Sequence, residues 1–288
     1  SVNLEDVVTA VEVGQFSKII VDIKSNVAGS SLNVARALHQ FGSQVHLLYT
    51  TGADSYATAI ASVINASGIP ATALKVRQST PRTIVLPPLL SGVETNRLLC
   101  AKPLYIETTM SQTNQTINQV VSDMTATYGV ATGVRLADLP LLGVFFSRSA
   151  YRVLNPSLEL VQNRKDLRVL SQTAQLIVVN HEEACAYLDK DPTQFNPQVD
   201  VDLFVSSLQA QSAIVTWNSR GAFYLERGGE LIPARANMMP TNNDGIEDNV
   251  GAGDFFLAAF LRNFKKTDIQ YAMNFAATAA HLTVHCVC

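Results

Sequence analysis

Charge is what this sequence has least of. Only 16% of its 288 residues are Asp, Glu, Lys or Arg, and 21 basic residues against 24 acidic ones leave a formal net charge of −3. With a pI of about 5.9 the chain builds no cationic footprint for nucleic acid. Long apolar runs are also lacking. The stretch Phe255 to Phe260 is soon interrupted by Arg262, Lys265 and Lys266, so nothing approaches the roughly 18–20 apolar residues that span a bilayer. Cysteine is scarce, and Cys100, Cys185, Cys286 and Cys288 match neither a zinc nor a disulfide spacing. Reduced thiols in a cytoplasmic protein are the expectation. No secretory leader is evident, and because Ser1 is not an initiator Met a few residues are expected to precede it.

What is present is apolar content, 47% of the chain, enough for one large α/β domain or one such domain with a small appendage. Leu32, Val34, Ala35, Ala37 and Leu38 share one helical face that stops at Gly42. Val45 to Tyr49 reads as a buried strand, and Gly52-Ala53-Asp54 opens a helix over 55–66. The rhythm resumes with strands at 151–154, 176–179, 213–216 and 222–225. Helices are expected over 158–171, 184–188 and 268–284. Alternating strands and helices predict a mainly parallel sheet covered on both faces. Residues 108–132, rich in Thr, Gln, Ser and Asn, read as one polar-faced helix (Ile117, Val120, Val121 and Met124 inward) followed by a loop.

Two segments break this rhythm. Residues 16–23 and 82–99 read as short strands too far apart for one hairpin, so a small β-layer projecting over a substrate is expected. Residues 1–15, 24–81 and 100–288 are left as the α/β body. Exposed strand edges at the β-layer invite pairing between two copies of the chain.

The most informative run is Asp248-Asn249-Val250-Gly251-Ala252-Gly253-Asp254, followed at once by an apolar helical segment. Small residues before a helix leave backbone N–H groups at its positive end, where an anion settles. Asp254 falls at the helix entrance, placed to take a proton from an attacking hydroxyl. An acid beside a phosphate cradle is the minimal equipment for phosphoryl transfer. Asn180-His181-Glu182-Glu183, Thr216 to Gly221, Asn155-Pro156-Ser157 and Ala28 to Asn33 follow strands or open a helix. In open α/β sheets ligands bind at such carboxyl ends. His181, followed by Glu182 and Glu183, reads as a solvated residue at a helix start, and Trp217 as packing against a loop.

Taken together, these motifs resemble the ribokinase-like (PfkB) family of carbohydrate and nucleoside kinases, over nearly the whole chain. Asp248 to Asp254 is similar to the signature D-T-x-G-A-G-D, with Asn249 for threonine. Thr216 to Gly221 resembles T-L-G-S-R-G, with Trp217 for leucine and Asn218 for glycine. Asn180 to Glu183 is similar to N-x-x-E, and Ala28 to Asn33 to G-G-x-x-x-N with alanine for the first glycine. The resemblance implies a three-layer α/β/α sandwich with a small β-sheet lid. It implies Asp254 as base and the N–H groups of Gly251, Ala252 and Gly253 as the anion hole. Asn180 and Glu183 would organise Mg²⁺ and the ATP phosphates, Glu183 through water. Thr216, Asn218 and Gly221 would lie along the nucleotide, and Asp6, Gly29 and Asn33 would bind acceptor hydroxyls. Many members also use a monovalent cation. In relatives the chain continues past the position of Cys288 into a loop that helps enclose the base. The acceptor stays open between a sugar and a nucleoside, and the changes at Ala28, Asn218 and Asn249 leave a catalytically silent binding protein as a third reading.

Overall fold

The structure, a computed structural model, describes residues 3–13, 19–75, 79–80, 82–86, 97–101, 126–235, 251–265 and 267–285. Its strands in chain order are β1 (Asn3–Val13), β2 (Ile19–Ala28), β3 (Leu47–Thr51), β4 (Ala71–Lys75), β5 (Arg82–Leu86) and β6 (Arg97–Ala101). They continue with β7 (Ala126–Val134), β8 (Ser149–Pro156), β9 (Leu176–Asn180), β10 (Ser212–Thr216), β11 (Ala222–Glu226) and β12 (Ile232–Ala234).

Six of them form one sheet in the order β12-β11-β10-β9-β8-β7. The four strands β7 to β10 run parallel, and β11 and β12 add an antiparallel edge. Parallel neighbours need crossovers, and those between β7 and β10 carry the helices Leu139–Phe146, Leu158–Gln162, Arg164–Ser171, His181–Leu188 and Pro197–Leu208.

Side-chain alternation explains why β9 and β10 read as unbroken apolar runs. Ile177, Val179, Ala213 and Val215 face one hydrophobic cluster with Leu160, Leu167, Phe204 and Leu208 from the crossover helices. Leu176, Val178 and Ile214 face the opposite cluster, with Leu257, Phe260, Met273 and Ala276 from the two C-terminal helices Ala252–Asn263 and Ile269–His285. A period of two thus puts successive residues into two separate cores, and a strand buried on both faces has no polar side to show. The result is a three-layer α/β/α sandwich. A third cluster joins Leu32, Ala35, Leu47, Tyr49, Ile60 and Ile64, where helices Ser30–Gln40 and Ser55–Ala66 cover the β3–β4 pair.

A separate four-stranded sheet has the order β2-β1-β5-β6. The segments 16–23 and 82–99 contribute to it through β2, β5 and β6, although residues 14–18 and 87–96 lie outside the described residues. The sheet extends further than the sequence reading drew it. β1, assigned there to the body, is hydrogen-bonded between β2 and β5 in this sheet. β2 ends at Ala28 and passes through Gly29 straight into the helix Ser30–Gln40.

Two expectations are corrected. The helix expected over 158–171 is two helices, because the Asn163 side chain turns back to accept from the Asp166 N–H at 3.3 Å and caps a new start. Within 108–132, residues 126–132 belong to β7 rather than to a loop, while the helix expected around Ile117 to Met124 lies outside the described residues. Gly129 and Gly133 dilute the strand signal of β7, since glycine is a poor strand residue. Among the described residues no helix is long and apolar enough to cross a membrane.

Candidate active site

The carboxyl ends of β7 to β10 deliver Thr132, Asn155, Asn180 and Thr216 to one edge of the sheet. Thr216 and Asn180 are register partners on neighbouring strands. Asn155 has a structural task there, since its Nδ2 donates to the Val178 carbonyl at 2.7 Å and ties β8 to β9. Ser157 caps the helix that follows.

Asp254 lies in the first turn of the helix Ala252–Asn263, whose N-cap is Gly251. Gly251 adopts φ +85°, a left-handed conformation that a side chain disfavours. A Cβ there would also stand 3.5 Å from Asn33 Nδ2. The first intrahelical bond is from the Phe255 N–H to the Gly251 carbonyl at 2.9 Å. In any helix the N–H groups of the first turn have no intrahelical acceptor, and those of Ala252, Gly253 and Asp254 are such groups here. Gly253 is exposed, with open space where its side chain would be.

The Asp254 carboxylate is reached from a different element. Asn33 Nδ2, on the second turn of helix Ser30–Gln40, donates to Asp254 Oδ2 at 2.8 Å. Burial pushes the carboxyl above its ordinary range, and hydrogen bonds from Asn33 and Ser30 oppose that shift. A carboxylate raised in this way is a better proton acceptor than an exposed aspartate. The residue as a whole is half-buried, and its carboxyl is the more desolvated part. Gly29 serves the same helix as its N-cap, with its carbonyl accepting from Leu32 and Asn33.

Asn180 and Glu183 form a reciprocal capping box. The Asn180 N–H donates to Glu183 Oε2 at 2.9 Å, and Asn180 Oδ1 accepts from the Glu183 N–H at 2.8 Å. Burial pushes the Glu183 carboxyl up to about 7, against the opposing effect of the Asn180 bond. Such a carboxyl gains most from a nearby cation, and the cap occupies only one of its oxygens. Among the described residues no group of three or more His, Cys, Asp or Glu could hold a metal. A hard oxygen donor of this kind nevertheless fits Mg²⁺, which keeps much of its water and binds through one or two carboxylates.

Asn218 opens a short turn, Asn218–Arg220, at φ +44°, a region that asparagine tolerates far better than most residues. The departure from glycine therefore keeps the backbone of the turn. Gly221 closes it at φ +104°, where a Cβ would meet the Ala234 carbonyl oxygen at 2.1 Å. Trp217 packs with His181, Phe195 and Phe223, and the Arg220 guanidinium lies over its ring at 4.5 Å.

His181 is corrected by this cluster. It is only 7% exposed, covered by Phe195 and Trp217 rather than solvated, and burial lowers its affinity for a proton. Asp6 lies inside β1, with Ser25 of β2 and Ile84 of β5 as its register partners. Asp248, Asn249 and Val250 lie outside the described residues. The structure thus brings Asn33 to Asp254 and Gly251, and Asn180 to Glu183 and Thr216. Sequence reasoning missed Arg135, directly after β7, whose Nε and Nη2 are buried without a hydrogen-bond partner. No sequence signal marked it, because β7 itself was not legible as a strand.

A doubly covered, mainly parallel sheet with an acid at a helix mouth beyond its carboxyl edge defines an α/β protein of the ribokinase-like class. The chain matches the model of the pfkB family carbohydrate kinases over residues 9–287, and it belongs to that family. No curated protein sequence matches it. Among solved structures it is similar to phosphofructokinase-2 from Escherichia coli in complex with potassium, at 15% identity and TM-score 0.74 over 100% of this chain and 91% of that one. The same enzyme in complex with fructose-6-phosphate gives 14% identity and TM-score 0.69 over 99% and 95%. A Burkholderia thailandensis nucleoside kinase in complex with inosine gives 20% identity and TM-score 0.72 over 100% and 90%.

Proposed function

We propose that the protein transfers the γ-phosphoryl group of ATP to a hydroxyl of a sugar or sugar derivative, with Asp254 as general base. The observation that carries this reading is Asp254 itself. It is a partly desolvated carboxylate in the first turn of a helix, oriented by Asn33 from the helix that follows β2. In the reaction the acceptor hydroxyl oxygen bonds to the γ-phosphorus and the bond from that phosphorus to the β–γ bridging oxygen breaks. The hydroxyl proton passes to Asp254, and ADP departs with the bridging oxygen. The N–H groups of Gly251, Ala252 and Gly253 donate to the migrating phosphoryl oxygens, where negative charge concentrates in the transition state. Asn33 and Gly29, with Asp6 from β1, hold the acceptor hydroxyls. Thr216, Asn218 and Gly221 line the nucleotide, and Asn180 and Glu183 would hold Mg²⁺, Glu183 through water. When bound, Mg²⁺ neutralises phosphate charge.

The neighbours named above include proteins solved with fructose-6-phosphate and with inosine. Acceptor trials should therefore cover neutral sugars, phosphorylated sugars and nucleosides. Potassium accompanies one neighbour, so rates in KCl and in tetramethylammonium chloride belong in the same trial. Dimer formation through the edge strands β2 and β6 is the assembly this reading favours. The deciding experiment is ATP-dependent product formation across the acceptor panel by wild type and Asp254→Asn. Loss of product in the variant alone supports the reading, and equal inertness of both on every acceptor overturns it.

A further inference from the structure

Arg135 follows the last residue of β7 and opens the short turn Leu136–Asp138. It stands at the carboxyl edge of the sheet, where α/β proteins bind ligands. The end of β7 is tied to the first turn of helix Ser30–Gln40, since Ser31 Oγ and Thr132 Oγ1 lie 2.9 Å apart. That helix also carries Gly29 at its cap and Asn33, the partner of Asp254. Arg135 therefore borders the region to which the proposed kinase reading assigns the acceptor.

Its side chain is 20% exposed, yet Nε and Nη2 are buried and make no hydrogen bond. Asp138 forms a long ion pair with the guanidinium but accepts no hydrogen bond from Nε or Nη2. Asp138 Oδ2 is 3.8 Å from Nε, beyond hydrogen-bond range, while it accepts from the Arg135 backbone N–H at 3.1 Å. A guanidinium cannot shed its proton, and a buried donor left without an acceptor is costly. A hydroxyl would satisfy one of these donors, whereas an oxyanion takes two at once through the planar fork.

We propose that Arg135 is the specificity-determining residue of the acceptor pocket and that the acceptor carries an oxyanion, a phosphate ester or a sugar carboxylate, held by this guanidinium. The inference rests on the kinase reading for its pocket but not for its test.

Binding is measured without ATP, by calorimetry and thermal shift, for matched pairs of fructose against fructose 6-phosphate and glucose against gluconate. Wild type, Arg135→Gln and Arg135→Lys are compared. Wild type is expected to prefer one oxyanion ligand over its neutral counterpart by at least about tenfold, the range of a charge-assisted hydrogen bond. Arg135→Gln should erase that preference while leaving weak binding of the neutral sugar unchanged, and Arg135→Lys should restore part of it. Which pair shows the preference identifies the oxyanion as phosphate or carboxylate. Ligand-free Arg135→Gln keeps the backbone bond to Asp138 and loses only a long ion pair, so its Tm should stay close to that of wild type. A preference absent from wild type, a preference that survives in Arg135→Gln, or a fall of several degrees in its ligand-free Tm overturns the proposal. If the preference depends on Arg135 but no acceptor is phosphorylated, the oxyanion site stands and the kinase reading fails. If neutral sugars alone are phosphorylated, with KM indifferent to Arg135, the kinase reading stands and the oxyanion site fails.

Discussion

Asn33 Nδ2 donates to Asp254 Oδ2 across 2.8 Å, though 221 residues of chain separate the two. The bond stabilises the ionised carboxylate against the burial that disfavours it. Replacing Asn33 by Leu removes the donor and leaves burial unopposed at that oxygen, so the Asp254 carboxyl should hold its proton to higher pH. The acid limb of the kcat/KM profile is expected to move to higher pH, with about tenfold lower activity below the limb. A pH–rate profile checks this, and an unmoved limb would separate Asn33 from the titrating base.

Glu183 makes a prediction about stability. Burial raises its carboxyl from 4.5 to about 7, so between those pH values the folded state keeps a proton that the unfolded chain has lost. The stability it contributes is therefore fully present below 4.5 and lost as pH rises through about 7. Glu183→Gln keeps an acceptor for the Asn180 N–H and removes the titration. Thermal melts at pH 5 and pH 8 should show the wild type losing up to about 3 kcal/mol relative to the variant. The same variant should need about tenfold more Mg²⁺ for half-maximal rate.

Gly221→Ala tests the turn that follows β10. The added methyl would meet the Ala234 carbonyl oxygen at 2.1 Å, on a backbone at φ +104°. Both effects oppose the substitution, and a loss of about 2 kcal/mol or more is expected in urea unfolding. Gly228→Ala is a matched control, since it shares a positive φ of +76° but has open space at the Cβ position.

Asp200 is fully buried and receives Lys190 Nζ at 2.7 and 2.8 Å together with the Asn196 N–H at 2.7 Å. Lys190→Met leaves that carboxylate without its counter-charge. A loss of about 3 kcal/mol is expected by urea unfolding, with little change in KM, because the pair lies in the loop and helix after residue 189 rather than at the sheet edge.

Much of the fold was legible because local signals agreed with burial. Asp54 caps the helix Ser55–Ala66 from the turn the sequence marked, and β9 and β10 showed their two-sided burial as apolar runs. β7 was illegible because its two glycines and polar residues hide the alternation. The helix Pro197–Leu208 went unrecognised although Asn196 caps it, because its apolar face is diluted by Gln198, Asp200 and Asp202. At the site, the motif at Gly251 to Asp254 announced an acid at a helix mouth. Its pairing with Asn33 could not be read, since a contact over 221 residues leaves no local trace. His181 looked solvated ahead of two acids, and only the packing of Phe195 and Trp217 reveals its burial.

The central claim is tested most directly by single-turnover phosphoryl transfer from radiolabelled ATP to the best acceptor, comparing wild type with Asp254→Asn. A slowing of at least about a hundredfold, with the variant's fold and ATP binding intact, is the predicted result. Unchanged transfer by Asp254→Asn would contradict the assignment of Asp254 as the base.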